Sequence, residues 1–355
     1  VSNLSRLPDV VLPGLYARDV GTDAAVTRFG GMTTGYESYF VRAVAPEGGR
    51  GFWLRYTVRV APGTVPTGSL WFTWFDEAAP GPTATKHTLP EPHAGDGQWI
   101  EIGAAQIGPG RAVGSIESKK GRPAVSWDLT FSGEPVLPHL PQPWMYAARL
   151  PRTKPLSLHP FARVTGVVTV GAGRTEVVDW PGMVGHNWGA EHAERWIWLH
   201  GITFGDEPDD TWIDVVLGRI KVGGWLAPWV ASGAISLRGQ RYLLGGMGRT
   251  RSTEVSEHAH GASLALPGSD GLEVHVEIWA PQERFVGWTY ADPDGRTHDV
   301  LNCSIADLDL TITWPDQSDV ELSARGTAAY ELGLREHDHG VAVQPFPDSS
   351  GPPRG

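Results

Sequence analysis

Only one cysteine, Cys303, occurs in the 355-residue chain. An internal disulfide is excluded, and a reducing compartment, the cytoplasm, is the expected location. Long apolar runs are missing as well; none approaches the roughly 18 residues of a membrane-spanning helix. The opening Val1-Ser2-Asn3-Leu4 has neither the basic nor the apolar region of a secretory signal. Positive charge is scarce, with 29 Lys and Arg against 40 Asp and Glu and a net charge of −11. That balance argues against nucleic acid, and against an anionic membrane surface, as the main partner. Amphipathic helices are not evident; the nearest candidate, Ala190 to Arg195, is long enough for one or two turns. No glycine-rich stretch fits a phosphate loop before a helix, and no Gly-x-Ser-x-Gly elbow is present.

What the chain has in quantity is turn residues, 45 Gly and 29 Pro, between short stretches of period two. Phe52 to Val60 puts Leu54, Tyr56, Val58 and Val60 on one face and Arg55, Thr57 and Arg59 on the other. Leu70 to Asp76, Val125 to Phe131, Phe161 to Val170 and Thr175 to Trp180 read as further strands, the last two as a hairpin turning at Gly171-Ala172-Gly173. Later candidates are Trp229 to Leu237 with Arg241 to Leu244, Leu272 to Trp279 with Arg284 to Tyr290, and His298 to Ile305 with Leu308 to Trp314. Many strands and almost no helix predict an all-β protein of two barrel-like or sandwich domains packed side by side. The expected division is an irregular segment over 1–35, an amino-terminal domain over 36–184 and a carboxy-terminal domain over 185–340. A Pro/Gly/Ser-rich tail over 341–355 is expected to be disordered. Six prolines between Pro135 and Pro155 are read as a crossing segment between the halves.

The chemistry-bearing residues crowd into one stretch. Gly185-His186-Asn187-Trp188-Gly189 is followed by Arg195-Trp196-Ile197-Trp198-Leu199-His200-Gly201, so His186 to Gly201 holds three tryptophans and three histidines. After a turn, Thr211-Trp212-Ile213-Asp214-Val215 forms the next strand. Alternation sets Trp196, Trp198 and His200 on one face, and Trp212 with Asp214 on one face of their own strand. His200 and Asp214 share a side of the hairpin if the register is even, for instance 200 opposite 214. A carboxylate in the middle of an apolar strand is costly unless something uses it.

These residues resemble the hydroxyneurosporene synthase (carotenoid 1,2-hydratase) and AttH-like family. The likeness rests on Gly185-His186-Asn187-Trp188-Gly189, Trp196-Ile197-Trp198 and Trp212-Ile213-Asp214. It is joined by Phe52-Trp53-Leu54-Arg55-Tyr56, Val125-Ser126-Trp127-Asp128-Leu129 and Gly326-Thr327-Ala328-Ala329-Tyr330-Glu331. It implies two lipocalin-like β-barrel domains, no cofactor and an aspartic acid catalyst. That catalyst falls on Asp214, with the upstream His-x-Trp on His186 and Trp188. Trp212 departs from the family, whose hydratases carry tyrosine there.

Protonating an alkene needs a carboxylic acid that keeps its proton, which burial among apolar groups favours. Asp214 is the expected acid and His186 the expected group that orients water or takes the proton back. Trp188, Trp196, Trp198, His200 and Trp212 are the expected lining, with indole faces worth about 0.5–2 kcal/mol each to a carbocation. The expected partner is a hydrophobic small molecule, isoprenoid or polyketide-like, which is hydrated, isomerised or cyclised. Two other readings stay open: a carrier that uses the same cavity without turnover, and a glycan-binding sandwich with exposed tryptophans. The tryptophans also read as plain core, and Gly185 to Gly189 as a tight turn. No metal is expected: His258-Ala259-His260 and His337-Asp338-His339 have strand-ligand spacing but lack an indicated third ligand, and Asp292-Pro293-Asp294-Gly295 reads as a turn without the ligands of a calcium loop.

Overall fold

The computed structural model describes residues 25–346, apart from 96, 119–121, 206 and 209. Most of the irregular segment expected over 1–35 therefore lies outside the described residues. Its described end carries a 3₁₀ turn, Phe29–Gly31, ahead of the first strand. The first half of the chain contributes β1 (Gly35–Val44), β2 (Arg50–Val60), β3 (Thr67–Asp76), β4 (Thr83–Pro90), β5 (Ile100–Ile102) and β6 (Ala105–Gly108). It continues with β7 (Arg111–Ile116), β8 (Val125–Gly133), β9 (Leu137–Pro138), β10 (Thr153–Val170) and β11 (Gly173–Gly189). These make one antiparallel sheet in the order β4-β3-β2-β1-β11-β10-β8-β7-β6-β5, with β9 beside β10.

The second half begins with β12 (Arg195–Ile202), β13 (Trp212–Arg219), β14 (Lys221–Val222), β15 (Trp225–Leu226), β16 (Val230–Leu237) and β17 (Gln240–Gly245). It ends with β18 (Glu254–His258), β19 (Gly261–Pro267), β20 (Glu273–Trp279), β21 (Val286–Ala291), β22 (Thr297–Thr313) and β23 (Val320–Leu334). Its sheet runs β17-β16-β13-β12-β23-β22-β20-β19-β18, with β21 beside β22, while β14 and β15 form a small hairpin of their own. A bridge between Leu244 of β17 and Gly268, just past β19, links one edge of this sheet to the strand next to the other. The fold is thus all-β, two lipocalin-like antiparallel sheets side by side. Among the described residues no helix is long and apolar enough to cross a membrane.

Each sheet curls around its own apolar interior, and period two decides what points there. In β1 and β2, Tyr39, Val41, Leu54, Tyr56 and Val58 enter the core of the first sheet. The alternate residues are buried too: Trp53, Trp71 and Phe75 join the core built mainly by the second sheet, and Arg42 and Arg55 are 0% and 4% exposed. The outer face of β1–β3 is therefore the seam between the sheets.

Four expectations change. Gly185–Gly189 does not open the second half but ends β11, paired with β1 through Tyr39↔His186. The proline-rich segment is not a crossing between the halves, because the chain returns to the first sheet as β10 and β11. Its 3₁₀ turn, Pro143–Tyr146, lies outside the sheet, and its His139 reaches across to Ser232 of β16. The hairpin expected at His298 to Trp314 is a single 17-residue strand, β22, bent by register shifts between Cys303 and Leu308. A bulge breaks the period without ending the strand. Part of the tail is ordered as well: Val343 bridges Gly287 in parallel, and Phe346 packs 5.8 Å from Trp288. Residues 347–355 lie outside the described residues.

Candidate active site

The hairpin register is the even one: His200 stands opposite Asp214, Trp198 opposite Val216 and Ile202 opposite Trp212. Ile197, Leu199, Ile213, Val215 and Leu217 on the other face fill the second sheet's interior. The face that carries Trp198, His200, Trp212 and Asp214 consequently turns toward the seam.

Asp214 is wholly buried. Its Oδ1 accepts the indole N–H of Trp198 at 3.1 Å, and its Oδ2 accepts the hydroxyl of Ser157. His139 Nε2 stands 3.0 Å from Ser157 Oγ and 3.5 Å from Asp214 Oδ2. The other ring nitrogen, Nδ1, is 3.1 Å from the carbonyl of Ser232, which only an N–H can approach this way. The register of β10 shifts between Ser157 and His159, and the Ser157 hydroxyl reaches across to Asp214 of β13. The acid is thus held by both halves of the chain.

The direction of its pKa is opposite to the expectation. Burial pushes Asp214 up, but His139 beside it and the Ser157 hydroxyl outweigh burial and hold it below the ordinary carboxylate value. His200, also fully buried, sits between two donor-fixing partners. Its Nε2–H donates to the Pro160 carbonyl at 2.7 Å, so Nδ1 is the acceptor for Arg42 Nη1 at 2.6 Å. Burial, and then Arg42, depress its pKa to about 3. The imidazole is neutral.

His186 is not brought to Asp214. It lies opposite Tyr39, stacked on it at 4.0 Å, and so faces the interior of the first sheet. Phe40 on the other face of β1 touches Trp198. His186 Nε2 donates to Glu37 at 2.8 Å. Glu37 also accepts the backbone N–H groups of Arg28 and Phe29, both at 2.8 Å. Burial raises the Glu37 pKa, but His186 and those donors bring it below the usual range. The pair clasps the segment ahead of β1. Trp188 stays with His186, 4.6 Å away between ring centres.

Trp212 is fully buried, 5.0 Å beneath the Arg241 guanidinium, and Trp196 donates to Glu331 at 3.0 Å. Trp188 and Trp198 are each 6% exposed, so these indoles offer no open platform for a sugar. Trp198, His200, Trp212 and Asp214 share the seam; Trp188 and His186 belong to the other side of β11. His139 and Ser157 were not singled out from the sequence. Neither sits in a periodic run, since one follows a proline and the other precedes a bulge.

Of the nominated histidine pairs, His337 Nδ1 and His339 Nε2 both meet Asp299 Oδ2, at 2.6 and 3.2 Å. His258 Nδ1 accepts the backbone N–H of His260 at 3.2 Å. Among the described residues, the grouping able to hold a metal is instead His192, Asp292 and His298, whose ligand atoms lie within 4.8 Å of one another. A hollow of about 10 Å³, room for no more than a water, lies between Phe75, Gly81, Glu283 and Ile305. Another, of about 220 Å³, lies against Ser115, Val125 and Thr169. Neither touches Asp214.

No family model matches the chain. Uncharacterized proteins of two Mycobacterium tuberculosis strains, CDC 1551 / Oshkosh and ATCC 25618 / H37Rv, are each 27% identical over 339 residues, which is 91% of this chain and 93% of theirs. Among solved structures the chain is similar to a Nitrosomonas europaea protein given the name AttH, with TM-score 0.52 and 11% identity over 89% of this chain and 97% of that one. It is also similar to kievitone hydratase of Nectria haematococca, with TM-score 0.50 and 9% identity over 85% and 89%. At such identities the likeness establishes the fold.

Proposed function

We propose that the protein is a cofactor-independent acid–base enzyme of the AttH-like kind, acting on an alkene of a hydrophobic small molecule with Asp214 as the proton-handling group. The observation that carries this is the buried chain Asp214–Ser157–His139, closed at its far end by the Ser232 carbonyl. Ser157 has a single hydrogen. If it donates to Asp214, His139 Nε2 must carry a proton to bond Ser157; if Asp214 holds the proton, Ser157 turns its hydrogen to His139. The three groups therefore share one mobile proton, and a carboxyl that is ionised at rest is recharged through Ser157. Delivery of that proton to an alkene carbon leaves a cation beside the Trp198 ring. Water adds to it, and the proton lost by the added water returns to His139. The net change is addition of water across the double bond. A hydratase among the proteins of this fold supports the reading by analogy.

The test uses prenylated and polyketide alkenes in D2O with mass-spectrometric detection. Hydration adds one deuterium on carbon together with the mass of water; isomerisation adds or exchanges deuterium without it. Asp214→Asn should remove the change and keep the ligand bound. Turnover unaffected by Asp214→Asn rejects the assignment.

A second reading, a carrier, is favoured by one observation: every partner Asp214 shows is already another side chain of the protein. A copurifying lipid that passes through D2O unchanged would select it.

A further inference from the structure

At the end of the seam remote from Asp214, three side chains from separate parts of the second half converge. His192 lies on the link between β11 and β12, Asp292 follows β21, and His298 is in β22 opposite Tyr290. Asp292 and His298 are 0% exposed, and the His192 side chain is 11% exposed. His192 is clamped between Tyr36, stacked at 4.1 Å, and Trp196 at 5.4 Å. Its Nδ1 and its backbone nitrogen both meet Asp292 Oδ1 at 2.8 Å. The turn Asp292-Pro293-Asp294-Gly295, closed by Asp292 N–H donating to the Arg296 carbonyl at 2.7 Å, points the Asp292 carboxylate inward.

The pattern of unmet hydrogen-bonding capacity is what calls for a ligand. Among the described residues, neither ring nitrogen of His298 has a hydrogen-bond partner, and neither do Asp292 Oδ2 and His192 Nε2. A buried polar atom without a partner costs about 1–3 kcal/mol, so an unmet His298 Nδ1 facing an unmet Asp292 Oδ2 marks a site completed by something else. His298 Nδ1 stands 3.8 Å from Asp292 Oδ2, too far to bond directly. Two ligands each about 2.1 Å from one tetrahedral ion lie roughly 3.4 Å apart, so the observed 2.8 and 3.8 Å bracket that spacing. Small side-chain shifts would close it. The opposing charges include Arg335, 3.9 Å from Asp292 Oδ2 but paired with Glu194, Arg59, which donates to the Asp292 carbonyl, and Arg55, stacked over Tyr290 at 4.2 Å.

We propose that His192, Asp292 and His298 bind one divalent first-row metal ion of the zinc and cobalt class, with at least one coordination position left open. Two imidazoles and a carboxylate select such ions over magnesium or calcium, which require oxygen ligands. The site stands independently of Asp214 and its reaction.

Protein stripped with a chelator should take up one equivalent of Zn²⁺ per chain by plasma mass spectrometry after dialysis. Titrated with Co²⁺, it should develop ligand-field absorption that Zn²⁺ abolishes. His298→Ala and the near-isosteric Asp292→Asn should each weaken uptake at least tenfold, while His337→Ala/His339→Ala should leave it intact. Wild-type protein that takes up no stoichiometric ion and shows no Co²⁺ band overturns the proposal, even if a variant fails to fold. So does uptake that persists in both site variants or disappears in the His337/His339 control.

Discussion

Ser157 has one hydrogen and two neighbours that can use it, Asp214 Oδ2 and His139 Nε2. Ser157→Ala would leave a fully buried carboxylate with the Trp198 N–H and, at 3.5 Å, His139 Nε2. The loss of one partner of a buried charged group costs about 1–3 kcal/mol, to be read from urea unfolding of wild type and variant. Because the variant keeps Asp214 but cuts its route to His139, turnover should fall by more than substrate affinity does. A fall in affinity alone would remove Ser157 from the relay. His200 yields a pH prediction of definite sign. Its folded pKa, about 3, lies below the roughly 6.5 of an unfolded histidine, so between those values the unfolded chain binds the extra proton. Stability is then complete above about pH 6.5 and declines on acidification toward 3, by at most about 1.4 kcal/mol per pH unit from this group. Asp214 and Glu37, also lowered, add loss in the same direction below the ordinary carboxylate range. His200→Gln should flatten the part of the slope between pH 6.5 and 4.5 in thermal melts across pH.

At the level of strands, Gly185 in β11 leaves the room that Phe40 of β1 fills on its way to the seam. A Cβ there would lie 2.1 Å from Phe40 Cζ, and Phe40 meets Trp198 edge-on at 5.4 Å. Gly185→Ala should therefore drive Phe40 into Trp198 and disturb the indole bonded to Asp214. Overpacking of this kind costs about 1–3 kcal/mol, seen as a lowered Tm and an altered near-UV dichroism. Phe40→Leu in the same chain should restore part of both; a neutral single substitution would contradict the packing described. Period two was enough to locate most strands and to make an even register the condition for His200 and Asp214 to share a face; that the register is even is read from the hairpin itself. The period could not relate His186 to Asp214. They stand on strands of different sheets, and β1 and β11 are buried on both faces, so nothing in their alternation says which face turns to the own core and which to the seam. Bulges hid the rest: β22 reads as two strands because its period slips near Ala306, and Ser157 escapes notice for the same reason in β10.

Across the molecule, the seam behaves as an interior. Arg42 of β1 is wholly buried there. It donates to His200 of β12 and to the carbonyls of Ser304 in β22 and Thr327 in β23. One guanidinium from the first sheet thus satisfies groups on three strands of the second, while Trp53, Trp71 and Phe75 extend the second core into the first sheet. Exposing this seam by separating the sheets would uncover a buried cation, its acceptors and several indoles at once, so neither half gains from unfolding alone. We expect a single calorimetric transition whose calorimetric and van't Hoff enthalpies agree, the signature of one cooperative unit. Arg42→Met keeps the apolar volume but strands the Nδ1 of His200 and two backbone carbonyls without donors. Removing one partner of a buried charged network costs about 3–5 kcal/mol, and here the loss falls on the seam while both interiors stay intact. The variant should accordingly melt earlier and in two resolved steps, with near-UV dichroism from the seam tryptophans lost in the first. A wild type that already melts in two steps would mean that the sheets are stable apart and that Arg42 does not couple them.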